Sequence, residues 1–298
     1  MKHLFKVGGR YRNLRGEYEV ISLQEPEMVI RFCSDNKIVK TSVELQMGIL
    51  RHMQDAEVLV APLDTSPRHQ AQRRSGFEFQ GLQEQDFQKG VASTSWRRRS
   101  SLGGLLAQRM SDIVGKNFES YAIYRRAEVH IVQLHRYNTD IRWREPKFVF
   151  DLDYERARYG FYIEKNEGPM DNSWKWLIFL DALERNTMLR QAIQAVMCQL
   201  NLHWEIHVSE KGIEEMAAQA TATPQALTWK RETKDEPEIV TWHGFISRLG
   251  DIEPNKWCDL YLCAHLDKAA CIAAGIGLAE PVVRVYHALL PLYQASTQ

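Results

Sequence analysis

The sequence predicts an α+β protein in two parts. A small all-β unit occupies residues 1–54, and a larger α+β domain with a mainly antiparallel sheet occupies residues 82–298. Three observations carry this reading. Residues 5–47 alternate apolar and polar side chains between turn signals, the period-two pattern of short strands. Residues 64–81, DTSPRHQAQRRSGFEFQG, are polar and contain Pro67, Gly76 and Gly81, so residues 55–81 read as a linker. Beyond it, strand candidates first cluster and then mix with helical stretches, the order of an α+β sheet domain.

Within the first part, FKVGGRYRN enters a turn, GEYEVISLQ is a strand, and EMVIRFCSDNKIVKTSVELQ gives two more around SDNK. Four or five short strands in so little chain suit a small SH3-like β-barrel. GILRHMQDAEVLVAPL then reads as a short helix and an extended exit. In the second part, LQEQDFQKG predicts a short helix. SSLGGLLAQRMSDIVGKNF predicts a longer one, with Leu102, Leu105, Leu106 and Met110 at helical spacing. SYAIYRRAEVHIVQLHRY, PKFVFDLDYE and ARYGFYIEKN predict three antiparallel strands. NSWKWLIFLDALERNTMLRQAIQAVMCQLN predicts a helix broken near Asn186–Thr187. HWEIHVSE is a strand, KGIEEMAAQA a short helix, and KWCDLYLCAHLD a strand. The end of the chain reads as a helix kinked at Pro281.

Composition bounds the partners. The chain has 298 residues, 44% of them hydrophobic, with 38 basic and 38 acidic side chains, so net charge names no ligand. The distribution is uneven: residues 66–147 hold fifteen bases against eight acids, and residues 148–298 hold fourteen against twenty-one. A basic front and an acidic rear suit an anionic partner, or two parts that complement each other. The opening MKHLFKVGGRYRN lacks the apolar core of a signal peptide, and no membrane span is expected. Five cysteines without framework spacing read as reduced thiols, which places the expected setting in the cytoplasm.

The stretch VGGRYRNLRGEYEVISLQEPEMVIRF resembles the KOW and Tudor-type SH3-like barrels. There a Val-Gly opens the first strand, a glycine-containing turn follows, and the next strands carry an aromatic and a basic edge. The resemblance implies binding of nucleic acid or protein tails, with Arg10, Tyr11, Arg12, Arg15 and Tyr18 at the matching positions. The turn NLRGEYE departs from it in lacking a second glycine.

A second candidate site is the run TSWRRRSSLGG. With Ser100 or Ser101 as N-cap, Arg97, Arg98 and Arg99 stand before the positive end of a helix. That is unfavourable by a few tenths of a kcal/mol per charge unless an anion is bound. A phosphate there would meet unpaired backbone N–H groups, two hydroxyls and guanidinium forks. Gly103 and Gly104 would admit a close approach, and Trp96 could stack on a base. No P-loop is present.

Strand alternation adds a third. Tyr124, Arg126, Glu128 and His130 share one face, which could read a nucleic acid or simply meet solvent. Asp151 and Asp153 share a face of the next strand, with Glu164 on the strand after it. Three carboxylates could hold Mg2+ for phosphodiester cleavage, although IEK puts Glu164 and Lys165 on opposite faces. HWEIHVSE places His203, Glu205 and His207 on one face, a spacing that can bind a metal from a strand. No further certain ligand accompanies them. Cys258, Cys263, His265 and Cys271 lack zinc-ribbon spacing and read as buried residues, so no metal and no resident cofactor are assigned.

These readings converge on a cytoplasmic nucleic-acid-binding protein for DNA or RNA. It would use Arg10, Arg12, Arg15, Trp96, Arg97, Arg98, Arg99, Ser100, Ser101, Tyr124, Arg126 and His130. The alternatives are a magnesium-dependent nuclease built on Asp151, Asp153 and Glu164, and a module that docks an acidic protein partner. The sequence leaves open whether the protein is an enzyme.

Overall fold

The computed structural model describes residues 5–13, 16–33, 36–43, 46, 78–87, 93–122, 127–133, 145–170, 174–233 and 236–297. Most of the expected linker therefore lies outside the described residues, as do Arg15, Tyr124 and Arg126. Contacts divide the chain into two compact units, Met1–Thr65 and Ser66–Gln298.

The first unit is an antiparallel meander of β1 (Arg10–Asn13), β2 (Gly16–Gln24), β3 (Glu27–Phe32) and β4 (Ile38–Ser42). Its alternation buries Tyr18, Val20, Met28, Ile30 and Phe32 around Phe5. On the other face Arg31 pairs with Glu19 at 2.9 Å, and the exposed Arg10 stands opposite Glu19. Among the described residues no ladder joins β4 back to β1.

The second unit is built on one nine-stranded antiparallel sheet. Its strands are β5 (Phe118–Ala122), β6 (Glu128–Gln133), β7 (Lys147–Leu152), β8 (Arg156–Lys165), β9 (His203–Glu210), β10 (Ile213–Ala222), β11 (Leu227–Arg231), β12 (Glu238–Val240) and β13 (Trp257–Asp267). The order is β12-β11-β10-β9-β13-β8-β7-β6-β5. The last long strand, β13, inserts at the centre between β9 and β8.

One face of this sheet packs against seven helices among the described residues: α1 (Ser93–Val114), α2 (Lys175–Arg185), α3 (Thr187–Leu200), α4 (Trp242–Gly250), α5 (Lys268–Ala274), α6 (Ala279–Ala288) and α7 (Leu290–Ala295). Apolar residues recur along them at helical spacing, such as Trp176, Phe179 and Leu183 on α2 and Leu189, Ile193 and Met197 on α3. They meet Trp204, Ile206 and Val208 of β9 and Leu260 and Leu262 of β13 in one core. Asn186 separates α2 from α3 and caps the latter, accepting from Leu189 N at 2.9 Å. The break therefore falls where the sequence placed it.

Several expectations change. The helix with the arginines begins at Ser93, seven residues before Ser100. Ser101 is thus interior and donates to Arg97 O at 2.9 Å, the back-bonding of a helical serine rather than a cap. Gly103 serves packing: a Cβ there would lie 2.5 Å from Val129 Cγ1, so the glycine lets α1 rest on β6. SYAIYRRAEVHIVQLHRY is not one strand but the β5–β6 hairpin, since eighteen residues exceed an ordinary strand. KGIEEMAAQA is strand β10, turned from β9 at Lys211 (φ 51°) and Gly212 (φ 80°). Its Ala, Glu and Met favour a helix in isolation, and pairing on both edges overrides that preference.

The final apolar stretch breaks at Gly275 (φ 52°) rather than at Pro281, which sits in the first turn of α6 where no N–H is needed. Contrary to expectation, Lys268–Ala288 is long and apolar enough to cross a membrane by length and composition. In the fold it is α5, a 3-10 turn and α6, with Cys271, Leu278, Val282 and Tyr286 in the core.

Where β8 crosses β13, a Cβ at Gly160 would lie 2.0 Å from Leu262 O. Gly160→Ala is expected to cost about 3 kcal/mol or more in urea unfolding, the upper end for overpacking, because the obstacle is backbone. A cost below about 1 kcal/mol would show that the two strands can part.

Candidate metal centre

The strand register lays the side chains of the sheet's other face out in rows. No described helix packs on this face. One row runs Glu128, Asp151, Arg158, His265 across β6, β7, β8 and β13. The next runs His130, Val149, Gly160, Cys263, His203, reaching β9. A third runs Lys147, Tyr162, Tyr261, Glu205, and a fourth Glu164, Asp259, His207. The helix face is mainly apolar, with the buried Lys165 held by Glu253 O and Lys256 O at 2.8 Å as an exception, so most polar side chains of these strands collect here.

Arg158 ties the rows together. Its Nη2 donates to Asp151 Oδ2 at 2.6 Å and its Nη1 to Glu205 Oε2 at 2.9 Å. The guanidinium lies over Tyr261, 3.7 Å from the ring centroid, and Tyr261 stacks on Tyr162 at 4.4 Å. Tyr162 donates to Asp259 Oδ1 at 2.6 Å, and Lys147 pairs with Glu164 at 2.9 Å.

The second oxygen of Glu205 faces two imidazoles. Both His203 Nε2 and His265 Nε2 lie 3.0 Å from Oε1. The His265 nitrogen is buried yet off the line of a hydrogen bond. Burial alone would raise the Glu205 carboxyl. The surrounding imidazoles of His203, His207 and His265, with the Arg158 charge, overcome it and hold the group far below the usual carboxylate range. Hydrogen bonding to Glu205 raises His207, whose Nδ1 is 2.8 Å from Glu214 Oε1.

Below the imidazoles sits Cys263, fully buried, its Sγ 3.8 Å from His203 O. Burial, then the Glu205 charge, push this thiol well above its ordinary value. One ligand atom from each of His203, Glu205, Cys263 and His265 can be chosen so that all lie within 4.8 Å of one another. Nitrogen, carboxylate oxygen and sulfur together form a donor set for a divalent transition metal, zinc above all. Tetrahedral zinc with bonds of about 2.0–2.1 Å sets N and O ligands about 3.3 Å apart, so the present 3.0 Å need open only a few tenths of an ångström. The outer support of such a site is also present, because Arg158 holds the other carboxylate oxygen and Asp151 holds Arg158.

One contact opposes a metal. Arg156 Nη1 lies 3.0 Å from His265 Nδ1. Arginine only donates, so this Nδ1 accepts and Nε2 carries the ring proton in this arrangement. Coordination through Nε2 requires Arg156 to withdraw, and its side chain, 46% exposed, has solvent to withdraw into.

The residues expected to bind phosphate are dispersed. Arg98 pairs with the buried Asp86 at 2.7 Å. Arg99 is buried on the stripe that leads to Leu102 and Leu106, and desolvation lowers it. Ser100 is half-buried within α1. The side chains of Arg12 and Trp96 lie outside the described residues. His130 is buried with Nε2 3.1 Å from Glu128, so its face is not a solvent face.

The structure does not bring the three carboxylates of the nuclease reading together. Asp151 is opposite Arg158, and Glu164 lies six residues further along β8, about 20 Å at the strand rise. Asp153 closes the β7–β8 turn, accepting from Glu155 N and Arg156 N at 2.9 Å.

Of the centre itself, the H-x-E pair on β9 was legible as a ligand spacing. Cys263 and His265 were not, because their relation to it is a ladder register between strands far apart in sequence. The available signal was the C-x-H spacing on another strand, the same two-residue step. Compared with known proteins, the chain matches no family model, no curated protein and no solved structure.

Arg158→Ala is expected to destabilise the protein by about 3–5 kcal/mol in urea, since Asp151 and Glu205 lose a largely buried counter-charge. A loss under about 1 kcal/mol would put the network in the class of screened surface pairs.

Proposed function

We propose that this is a metal-binding protein whose larger unit holds one divalent transition-metal ion, zinc by donor chemistry, through His203, Glu205, His265 and Cys263. The observation that carries the reading is the meeting of two two-residue ligand pairs on neighbouring strands, with donor atoms within 4.8 Å. Charge supports it. The rows hold the acids Glu128, Asp151, Glu205, Glu164 and Asp259 against Arg158 and Lys147, a setting for a cation rather than a polyanion.

Titration of the metal-free full chain with Zn2+ against a competing chelator tests it. One equivalent is expected to bind. His203→Ala and His265→Ala should each weaken binding by about 100-fold or more, beyond the 10–100-fold of an outer-shell change. Co2+ in place of zinc should show a thiolate charge-transfer band that Cys263→Ser removes. Uptake no different between wild type and the His203→Ala, His265→Ala double variant sinks the reading. Arg156→Ala should tighten Zn2+ binding, because it frees His265 Nδ1 to carry the proton; unchanged or weaker binding would mean that Arg156 does not compete.

Nucleic-acid binding is the second reading, supported by one observation: Arg98 and Arg99, in the opening turns of α1, keep guanidinium nitrogens without hydrogen-bond partners. The meander order and buried Tyr18, Val20 and Ile30 support reading the first unit as an SH3-like barrel of the KOW or Tudor kind.

A further inference from the structure

We infer that Arg98, Arg99 and Asp86 form a buried site for a protonated oxyanion, hydrogen phosphate in the first instance. The site is separate from the metal centre and does not depend on it. Arg99 is 1% exposed, and its Nε and Nη2 have no hydrogen-bond partner. Arg98 Nη2 is likewise buried and unpartnered. Asp86, also 1% exposed, sits on the 3-10 turn Glu84–Phe87. Its Oδ2 accepts from Gln83 N at 2.8 Å and from Arg98 Nε at 2.7 Å, while its Oδ1 has no partner.

Because Arg98 Nε and Asp86 Oδ2 touch, the orphan Nη2 and Oδ1 lie one fork-length from that contact. Arg99 follows Arg98 in the chain and lies in electrostatic range of Asp86 and Asp151. Beside it, Glu84 of the turn pairs with Lys268 at the start of α5 at 2.8 Å.

Arg98 keeps some contact with solvent, but the Arg99 guanidinium is away from water with its Nε and Nη2 unpaired, a costly arrangement unless an acceptor completes it. The orphan atoms state what kind. Three N–H donors require acceptor oxygens, and one carboxylate oxygen requires a donor. Hydrogen phosphate supplies both: its unprotonated oxygens accept from Arg99 Nε, Arg99 Nη2 and Arg98 Nη2, and its P–OH donates to Asp86 Oδ1. Sulfate and chloride carry no proton at neutral pH. A phosphodiester carries none either and cannot take one up, whereas a terminal phosphate monoester, with a second pKa of about 6, carries one at and below about pH 6, where the oligonucleotide arms are run.

Thermal unfolding of the full chain, with chelator present, tests this in sodium phosphate, sulfate and chloride at equal ionic strength. Phosphate at a hundred times its half-saturating concentration should raise the Tm by about 5 °C or more over chloride. Sulfate should raise it clearly less. Arg99→Met should lose the phosphate response and be no less stable than wild type in chloride. Should that variant not fold, Arg99→Lys keeps the charge without the fork and should need about tenfold more phosphate. Oligonucleotide arms separate the sources. A short strand with a 5′-phosphate that competes with phosphate identifies a monoester end as ligand, and failure of both strands to compete identifies the free anion. Competition by the 5′-hydroxyl strand overturns the assignment in favour of backbone contact. Equal Tm in phosphate and chloride, or a full phosphate response in Arg99→Met, also overturns it.

Discussion

The second unit depends on keeping charges paired on the sheet face that its helices do not cover. Nine antiparallel strands give two faces, and the apolar set is spent on the helix side. What remains on the other side is a set of carboxylates, imidazoles, the cations Lys147, Arg156 and Arg158 and two stacked tyrosines, many of them out of reach of water. Groups of this kind are tolerated only in mutual contact. Arg158 provides the contact by spanning Asp151 on β7 and Glu205 on β9, with Tyr261 of β13 beneath it. It needs clearance to do so. Gly160, two residues on and pointing to the same face, contributes no side chain and permits the close approach of β13.

From that pairing the metal centre follows. A carboxylate fixed through one oxygen by a guanidinium presents its other oxygen in a set direction, and His203 and His265 converge on it. Both imidazoles come from strand positions two residues from another ligand, so the pleat sets their direction without any loop. Cys263 closes the group from below, opposite His203 in the ladder. Sites on strands are better fixed than sites on loops, and this one rests on β9 and β13 at the middle of the sheet.

Much of the fold was legible in the sequence, and the exceptions have physical causes. Alternation identified β2, β3, β7, β8, β9 and β13, because one face of each is apolar and the period is two. The Asn186 break was readable as a cap. Strand β10 was not, since its Ala-rich text has helical propensity and only pairing with β9 and β11 makes it a strand. The start of α1 was misplaced because Ser100 looks like a cap, whereas Arg99 belongs to the buried stripe and lengthens the helix toward Ser93. For the centre, one strand gave His203 and Glu205 but not their partners. A ladder between residues sixty apart is a tertiary fact, and spacing within one strand does not reveal it.

The most direct measurement is X-ray absorption at the zinc edge of the loaded 298-residue chain. The account predicts two imidazole nitrogens and one carboxylate oxygen at about 2.0–2.2 Å with one sulfur at about 2.3 Å. A shell of oxygen alone, or one without imidazole, would contradict it and leave the Glu205 cluster as a purely structural network of paired charges.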